Sequence, residues 1–286
     1  MKLADSDIKT REVLKLRGVH VFHFWESSCS QKTRIFLRLK GIEWESHVVD
    51  LARQDNYKPY FLGINPRGLV PVLVHDGAVH IESNDILAYL DENFEGPKLI
   101  PDEHRDVILQ RLRDEDDLHL DLRALSMRFV MPKFVSMKSN QSLQRYRAEG
   151  TGTVQGAPDP RKTIEIDFWE RFAEQGITDD ETRSSAFKFQ KAYNELDAAL
   201  EGAPYLLGSD VTALDIAWFI YTHRLTVAGY PFERLHPRVQ YWYSRLARLP
   251  AFAAEIQPST PLKVITGALR WVQRLRGTTL EKVAGL

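Results

Sequence analysis

The chain begins with short apolar runs and continues with longer helical stripes, and the change falls near residue 100. Val19 to Trp25 (VHVFHFW) follows Gly18 and is short, aromatic and β-branched, which predicts a buried strand. Ser27 to Ser30 then offers N-cap residues, and Lys32 to Lys40 predicts a helix closed by Gly41. Ile35, Phe36 and Leu39 supply its apolar stripe, and Arg34, Arg38 and Lys40 are expected to face water. Glu43 to Leu51 predicts a second strand. Val70 to Val74 and Ala78 to Ile81 flank His75-Asp76-Gly77, and Asp-Gly between two apolar runs is a strong hairpin signal. Glu82 to Asp85 leads into a helix through Ile86 to Leu90. Strand, helix, strand, hairpin, helix is the order of a small α/β unit with a mixed sheet.

Gly96 to Pro101 breaks that pattern and marks a domain boundary. Beyond it, Leu109, Leu112, Leu118, Leu122 and Leu125 recur near the helical period and predict one long helix over Arg105 to Pro132. Residues 136–185 contain a polar stretch with Gly150, Gly152, Gly156, Pro158 and Pro160, which predicts a long insertion with a mobile centre. It either covers a substrate pocket or stays disordered. Helices are predicted again at Ser185 to Leu200, at Ile216 to Leu225 behind the capping box Thr212 to Asp215, at Tyr241 to Leu246 and at Leu262 to Leu275. The expected division is an extension over 1–18, an α/β domain over 19–100 and an all-helical domain over 101–286 that contains the insertion.

Composition narrows the class. Lys plus Arg number 38 against 39 Asp plus Glu, so no global charge draws the chain to nucleic acid. Met1 to Arg17 mixes acids and bases, unlike a secretory signal, and no stretch reaches the roughly 18 apolar residues of a membrane span. Cys29 is the single cysteine, so no internal disulfide forms and the cytoplasm is the expected compartment. The tail from Pro261 carries Lys263, Arg270, Arg274, Arg276 and Lys282 beside Val264, Ile265, Leu269, Trp271, Val272 and Leu275. Such a basic amphipathic helix either docks on the protein's own body or makes peripheral membrane contact.

Ser27, Ser28 and Cys29 lie where a buried strand passes into a helix. First-turn N–H groups lack helical partners there and the dipole adds positive potential, so a thiolate is stabilised, whether it belongs to Cys29 or to a bound thiol. The plainer reading makes the serines caps and Cys29 a small core residue. Glu115, Asp116, Asp117, His119 and Asp121 spread around a helix and read as a solvated or pocket-rim acidic face rather than a metal site. His20 and His23 have no ligand partners at metal spacing along the chain, and no metal is expected.

Ser27-Ser28-Cys29-Ser30-Gln31-Lys32-Thr33-Arg34-Ile35, followed by Leu39 to Glu43, resembles the opening motif of the zeta class of the cytosolic glutathione transferase family. The same stretch is similar to the glutathione-dependent reductive dehalogenases. Asn65 to Pro71, His75 to Gly77 and Glu82-Ser83 are similar to many classes, including the bacterial β-etherases. The resemblance implies a thioredoxin-like N-terminal domain that holds glutathione and an all-α C-terminal domain that shapes a second-substrate pocket. It also implies a homodimer. Carried over, Val70 would pair its backbone with the cysteinyl unit ahead of a cis Pro71. Glu82 and Ser83 would hold the γ-glutamyl end at a helix N-terminus, Ser28 would help to bind glutathione, and Lys58 would meet the glycyl carboxylate.

Two catalytic roles stay open. Ser27 would activate the thiol of glutathione as in the zeta pattern, or Cys29 would form a mixed disulfide as in the dehalogenases. Gln31-Lys32-Thr33 and Glu82 depart from the zeta pattern, which argues against isomerisation of maleylacetoacetate. The implied activity is attack of glutathione on a hydrophobic electrophile by conjugation, aryl-ether cleavage or reductive dehalogenation. The alternatives are a glutathione-dependent isomerase and a non-catalytic binding or membrane-associated protein, since the Ser-Gln-Lys run and the insertion also resemble the ganglioside-induced differentiation proteins.

Overall fold

The computed structural model describes residues 1–257 and 260–286. It separates into two compact units, Met1–Gly96 with Met137–Gln175, and Pro97–Ser136 with Gly176–Leu286.

In chain order the first unit opens with β1 (Val19–His23), α1 (Ser28–Lys40), β2 (Glu45–Val48), the single turn α2 (Pro59–Leu62), β3 (Val72–His75), β4 (Ala78–His80) and α3 (Ser83–Asn93). The sheet has the order β2-β1-β3-β4, with β1 parallel to β2 and antiparallel to β3. β1 is buried at every position, which is why it reads as a continuous apolar run instead of an alternation. Phe22, Val72 and Val74 join Leu3, Ile8 and Val13 of the N-terminal extension in one apolar cluster with Phe61 and Ile64. Residues 1–3 also run beside β4, where Leu3 N–H donates to the Val79 carbonyl at 2.9 Å and Ile81 N–H to that of Met1 at 2.9 Å. The extension thus covers a sheet edge that would otherwise be open. Asp76 and Gly77 both take positive φ, 48° and 81°, as the two-residue turn between β3 and β4 requires.

α1 starts four residues before the expected Lys32, because Ser27 caps it: the Ser27 hydroxyl accepts from Ser30 N–H at 3.3 Å. Arg34 and Lys40 also differ from expectation. Arg34 is 1 % exposed and Lys40 5 %, whereas Arg38 does face water. The Lys40 ammonium meets Asp91 of α3 at 3.2 Å with both side chains fully buried. Apolar periodicity cannot register a long cation that is buried against a partner from another element.

Next come α4 (Arg105–Asp117), α5 (His119–Phe129) and α6 (Lys133–Ser136). The predicted single helix over Arg105 to Pro132 is therefore interrupted. At Leu118, φ −87° and ψ 1° tighten the backbone, and Leu118 N–H bonds three residues back to Glu115. No Gly or Pro marks the break. Glu115 is fully buried, so the acidic face is not wholly solvated, and Asp121 accepts from Ser185 at 2.7 Å and Lys188 at 3.0 Å.

Residues 136–185 depart most from expectation. They hold α7 (Asn140–Ala148), a hairpin of β5 (Thr153–Val154) and β6 (Ala157–Pro158), and α8 (Arg161–Gln175). Their central part, 137–175, belongs to the first unit instead of the helical one. The reason is a set of specific ties. Asp7, fully buried, accepts from Thr153 Oγ1 at 2.9 Å, Gln155 N–H at 2.7 Å and Gly156 N–H at 3.1 Å. Tyr146 stacks on Tyr57 with ring centroids 4.4 Å apart, and its hydroxyl donates to the Arg67 carbonyl. Lys138 reaches the Leu51 carbonyl at 3.2 Å.

The second unit continues with α9 (Asp179–Ala199), α10 (Ala213–Ala228), the short α11 (Phe232–Leu235), α12 (Pro237–Leu246), the short α13 (Pro250–Ala253), α14 (Thr260–Arg276) and α15 (Leu280–Ala284). α10 is buried nearly all round and forms the centre of this unit. Its capping box is present as expected. Asp215 accepts from Thr212 N–H at 3.0 Å, and its other oxygen accepts from Leu206 N–H at 3.0 Å and Trp242 Nε1 at 2.9 Å. α14 docks through Thr266 and Gln273 and leaves Val264, Trp271 and Leu275 in solvent. No described helix is long and apolar enough to cross a membrane.

Candidate functional site

Strand register brings the candidate segments to one end of the first unit's sheet. Phe22 pairs with Val72 and Leu73 with His80. The residues that follow β1, those that precede β3 and those that follow β4 therefore share that end. There Phe24 to Ser27, Val70-Pro71 and Ile81 to Ser83 emerge, and α1 and α3 both begin. Two helix N-termini at one sheet end bring the positive ends of two helix dipoles and their first-turn N–H groups to the same place.

Ser27, Ser28 and Cys29 are each half-buried. Ser27 uses an oxygen lone pair to cap α1, and its hydroxyl hydrogen remains able to donate elsewhere. Cys29 stands in the first helical turn. The entry to α1 is held rigid by Arg34, whose guanidinium donates to the carbonyls of Phe24 at 3.1 Å and Trp25 at 2.9 Å. It also donates to His23 Nδ1 at 2.9 Å, while His23 Nε2 meets Ser46 Oγ at 2.7 Å. Burial, with Arg34 and His47 nearby, pushes the His23 pKa down to about 4, so the ring is neutral at neutral pH. Arg34 was expected in water; its role here depends on burial that only the tertiary structure reveals.

The Val70–Pro71 peptide is cis, as the resemblance implied, and Val70 is 9 % exposed. Glu82 precedes α3 with φ 64° and ψ 116°, a conformation that costs a non-glycine residue on the order of 1–3 kcal/mol. Strain of this kind is retained where surrounding contacts impose it, and functional sites collect it. Ser83, 6 % exposed, opens α3, and Asn84 accepts from Lys32 at 2.7 Å, which ties the starts of α1 and α3 together. Lys58 stands apart in character: it is exposed, caps α2 and pairs with Asp55 at 2.5 Å.

Arg67 lies inside the Asn65 to Pro71 run, and nothing local in the sequence signals the contacts that it makes. Its guanidinium donates to Glu82 Oε1 at 2.6 Å and makes a two-pronged contact with Asp159, Nε to Oδ2 at 2.8 Å and Nη2 to Oδ1 at 2.7 Å. Burial acts to lower its pKa, but the hydrogen bonds and charges of Asp159 and Glu82 outweigh this and hold it above its ordinary value. The expectation that His20 lacks ligand partners also needs correction. Parallel pairing of β1 with β2 brings Glu45 and His47 beside it, and one donor atom from each of the three lies within 4.8 Å of the others.

Two family models match the chain, the N-terminal domain of glutathione S-transferase over residues 26–93 and the C-terminal domain of glutathione S-transferase over residues 188–245. The chain is similar to a zeta-class glutathione S-transferase of Euphorbia esula, 42 % identical over 89 residues, covering 31 % of this chain and 40 % of that one. It is similar to a maleylpyruvate isomerase of Ralstonia sp., 37 % identical over 81 residues, covering 28 % and 38 %. These matches span less than half the length of either relative. Among solved structures, the fold matches the β-etherase LigF from Sphingobium sp. strain SYK-6 with a TM-score of 0.69 and 23 % identity, over 84 % of this chain and 99 % of that one. With its thioredoxin-like α/β unit, its all-helical unit and a family match in each, the chain belongs to the glutathione S-transferase family.

Proposed function

We propose that the sheet end where α1 and α3 begin binds glutathione and activates its thiol for attack on a hydrophobic electrophile. The observation that carries this reading is the shared position of the Ser27 cap, the cis Val70–Pro71 peptide and the strained Glu82 at two helix N-termini. In this reading Glu82 meets the γ-glutamyl ammonium, Ser83 and the first N–H groups of α3 meet its carboxylate, and the Val70 backbone pairs with the cysteinyl unit. The sulfur then lies at the start of α1, near Ser27, Ser28 and Cys29. Lys58, already paired with Asp55, is the weakest of these contacts.

Ser27 is the thiol-activating residue in this proposal. Its oxygen is fixed by the cap while its hydrogen is available to the thiolate, so the donor is preorganised at no further cost. Conjugation and aryl-ether cleavage suit that arrangement. Cys29 as nucleophile would instead give a mixed disulfide and reduction. We take the protein to act as a cytoplasmic homodimer, for which the single cysteine and the family resemblance are the support. The exposed Val264, Trp271 and Leu275 beside basic residues of α14 favour an added peripheral contact with an anionic membrane. Liposome sedimentation with and without residues 261–286 tests it.

Recombinant protein is expected to bind immobilised glutathione and to conjugate thiol-reactive aromatics. Failure of both would overturn the proposal. Turnover without loss of glutathione would shift it to isomerisation.

A further inference from the structure

We propose that His20, Glu45 and His47 form a binding site for a divalent transition metal of the zinc type, on the edge of the sheet and separate from the glutathione chemistry. β2 is the edge strand, and its parallel register sets Glu45 opposite His20 and His47 opposite Phe22. Residues 45 and 47 therefore point to the same face, and His20 on the neighbouring strand points there too.

The donor atoms converge. His20 Nδ1 lies 3.0 Å from His47 Nε2 and 3.3 Å from Glu45 Oε2. Tetrahedral zinc with bonds of about 2.0–2.2 Å needs donors about 3.3 Å apart. The two rings thus stand within a few tenths of an ångström of coordinating separation, and the flexible, exposed Glu45 can close the third edge.

Both rings are also oriented from behind. His20 Nε2 is 2.8 Å from the Arg17 carbonyl, which can only accept, so Nε2 carries the proton and Nδ1 presents its lone pair to the cluster. A metal-ligating histidine characteristically donates its other N–H in this way. His47 is stacked on Phe22 with centroids 4.5 Å apart and 15° between planes. To coordinate through Nε2 it moves its own ring proton to Nδ1, a tautomer change that leaves the ring neutral. Two histidines, one carboxylate and an outward-facing fourth position make the ligand count of an open zinc site.

The test uses the full chain carrying Cys29→Ser, which removes the only thiol that would compete for metal. Calorimetric titration with zinc chloride is expected to give one saturable site per chain. His47→Ala, on a half-exposed edge position, is expected to weaken binding at least about tenfold, and Glu45→Gln by a smaller factor, with circular dichroism unchanged. Absence of saturable zinc binding in the Cys29→Ser chain, or equal affinity in its His47→Ala derivative, would overturn the proposal. Glutathione binding should be unaffected by His47→Ala, so the two proposals fail independently.

Discussion

Arg67 and Asp159, 92 positions apart in the chain, are joined by two parallel hydrogen bonds of 2.8 and 2.7 Å. The same guanidinium holds Glu82 at 2.6 Å, so a residue from the inserted segment supports the residue that precedes α3. Arg67 and Asp159 side chains are only 13 % and 12 % exposed, which places the pair between a surface ion pair and a buried one. Arg67→Ala would leave two carboxylates without their cation. We expect a loss of about 2–4 kcal/mol in chemical denaturation, together with weaker glutathione binding. Arg67→Lys should recover little of either, since a lysine cannot reproduce the fork. Wild-type stability and binding in Arg67→Ala would refute this account.

Asp7 performs a comparable function for the β5–β6 hairpin. Its carboxylate accepts from Thr153, Gln155 and Gly156 as well as from Ala4 N–H at 3.0 Å. Asp7→Ala removes the acceptor for several part-buried donors, each bond worth on the order of 1 kcal/mol net. Limited proteolysis should then cut near residues 150–160 at least about tenfold faster, with global unfolding affected less. Equal cleavage rates would show that the hairpin is held by other contacts.

Acid should weaken the fold before the carboxylates titrate. His23 is held near pKa 4 by burial, Arg34 and His47, and His80 near 4 by burial, the N-terminal ammonium, Lys2 and His75. Each titrates near ~6.5 in the unfolded chain, so below that pH the unfolded state binds more protons and is favoured. The contribution of these two histidines is full above about pH 6.5, falls as the pH drops and is lost near pH 4. Urea denaturation at about pH 7 and about pH 5 should differ by on the order of 2 kcal/mol or more. His23→Gln should flatten that dependence; an unchanged slope would contradict the assignment.

Much of this structure is legible in the sequence wherever the signal is local. The run Val19 to Trp25, the Asp76-Gly77 turn and the Thr212 to Asp215 box each state their geometry within a few residues, and each is present, except that the strand stops at His23 and leaves Trp25 exposed. What escapes detection depends on partners far along the chain. Arg34 and Lys40 look solvated until Phe24, Trp25 and Asp91 are placed around them. The 137–175 segment looks mobile because its glycines and prolines are visible, whereas Asp7 and Tyr57, which anchor it, lie far upstream. Glu82 was recognisable by motif, but its positive φ and its bond to Arg67 were not. Leu118 interrupts a well-patterned helix with no breaker residue to announce it.

The central claim is that the start of α1, through Ser27, stabilises the thiolate of bound glutathione. Ultraviolet difference titration of the glutathione complex measures that directly. A free cysteine-type thiol titrates near ~8.5. The account predicts a thiol pKa at least about one unit lower in the complex, a return toward the free value in Ser27→Ala and little change in Cys29→Ala. A bound thiol that titrates like the free one, or a lowered pKa that survives Ser27→Ala and is lost in Cys29→Ala, would contradict it.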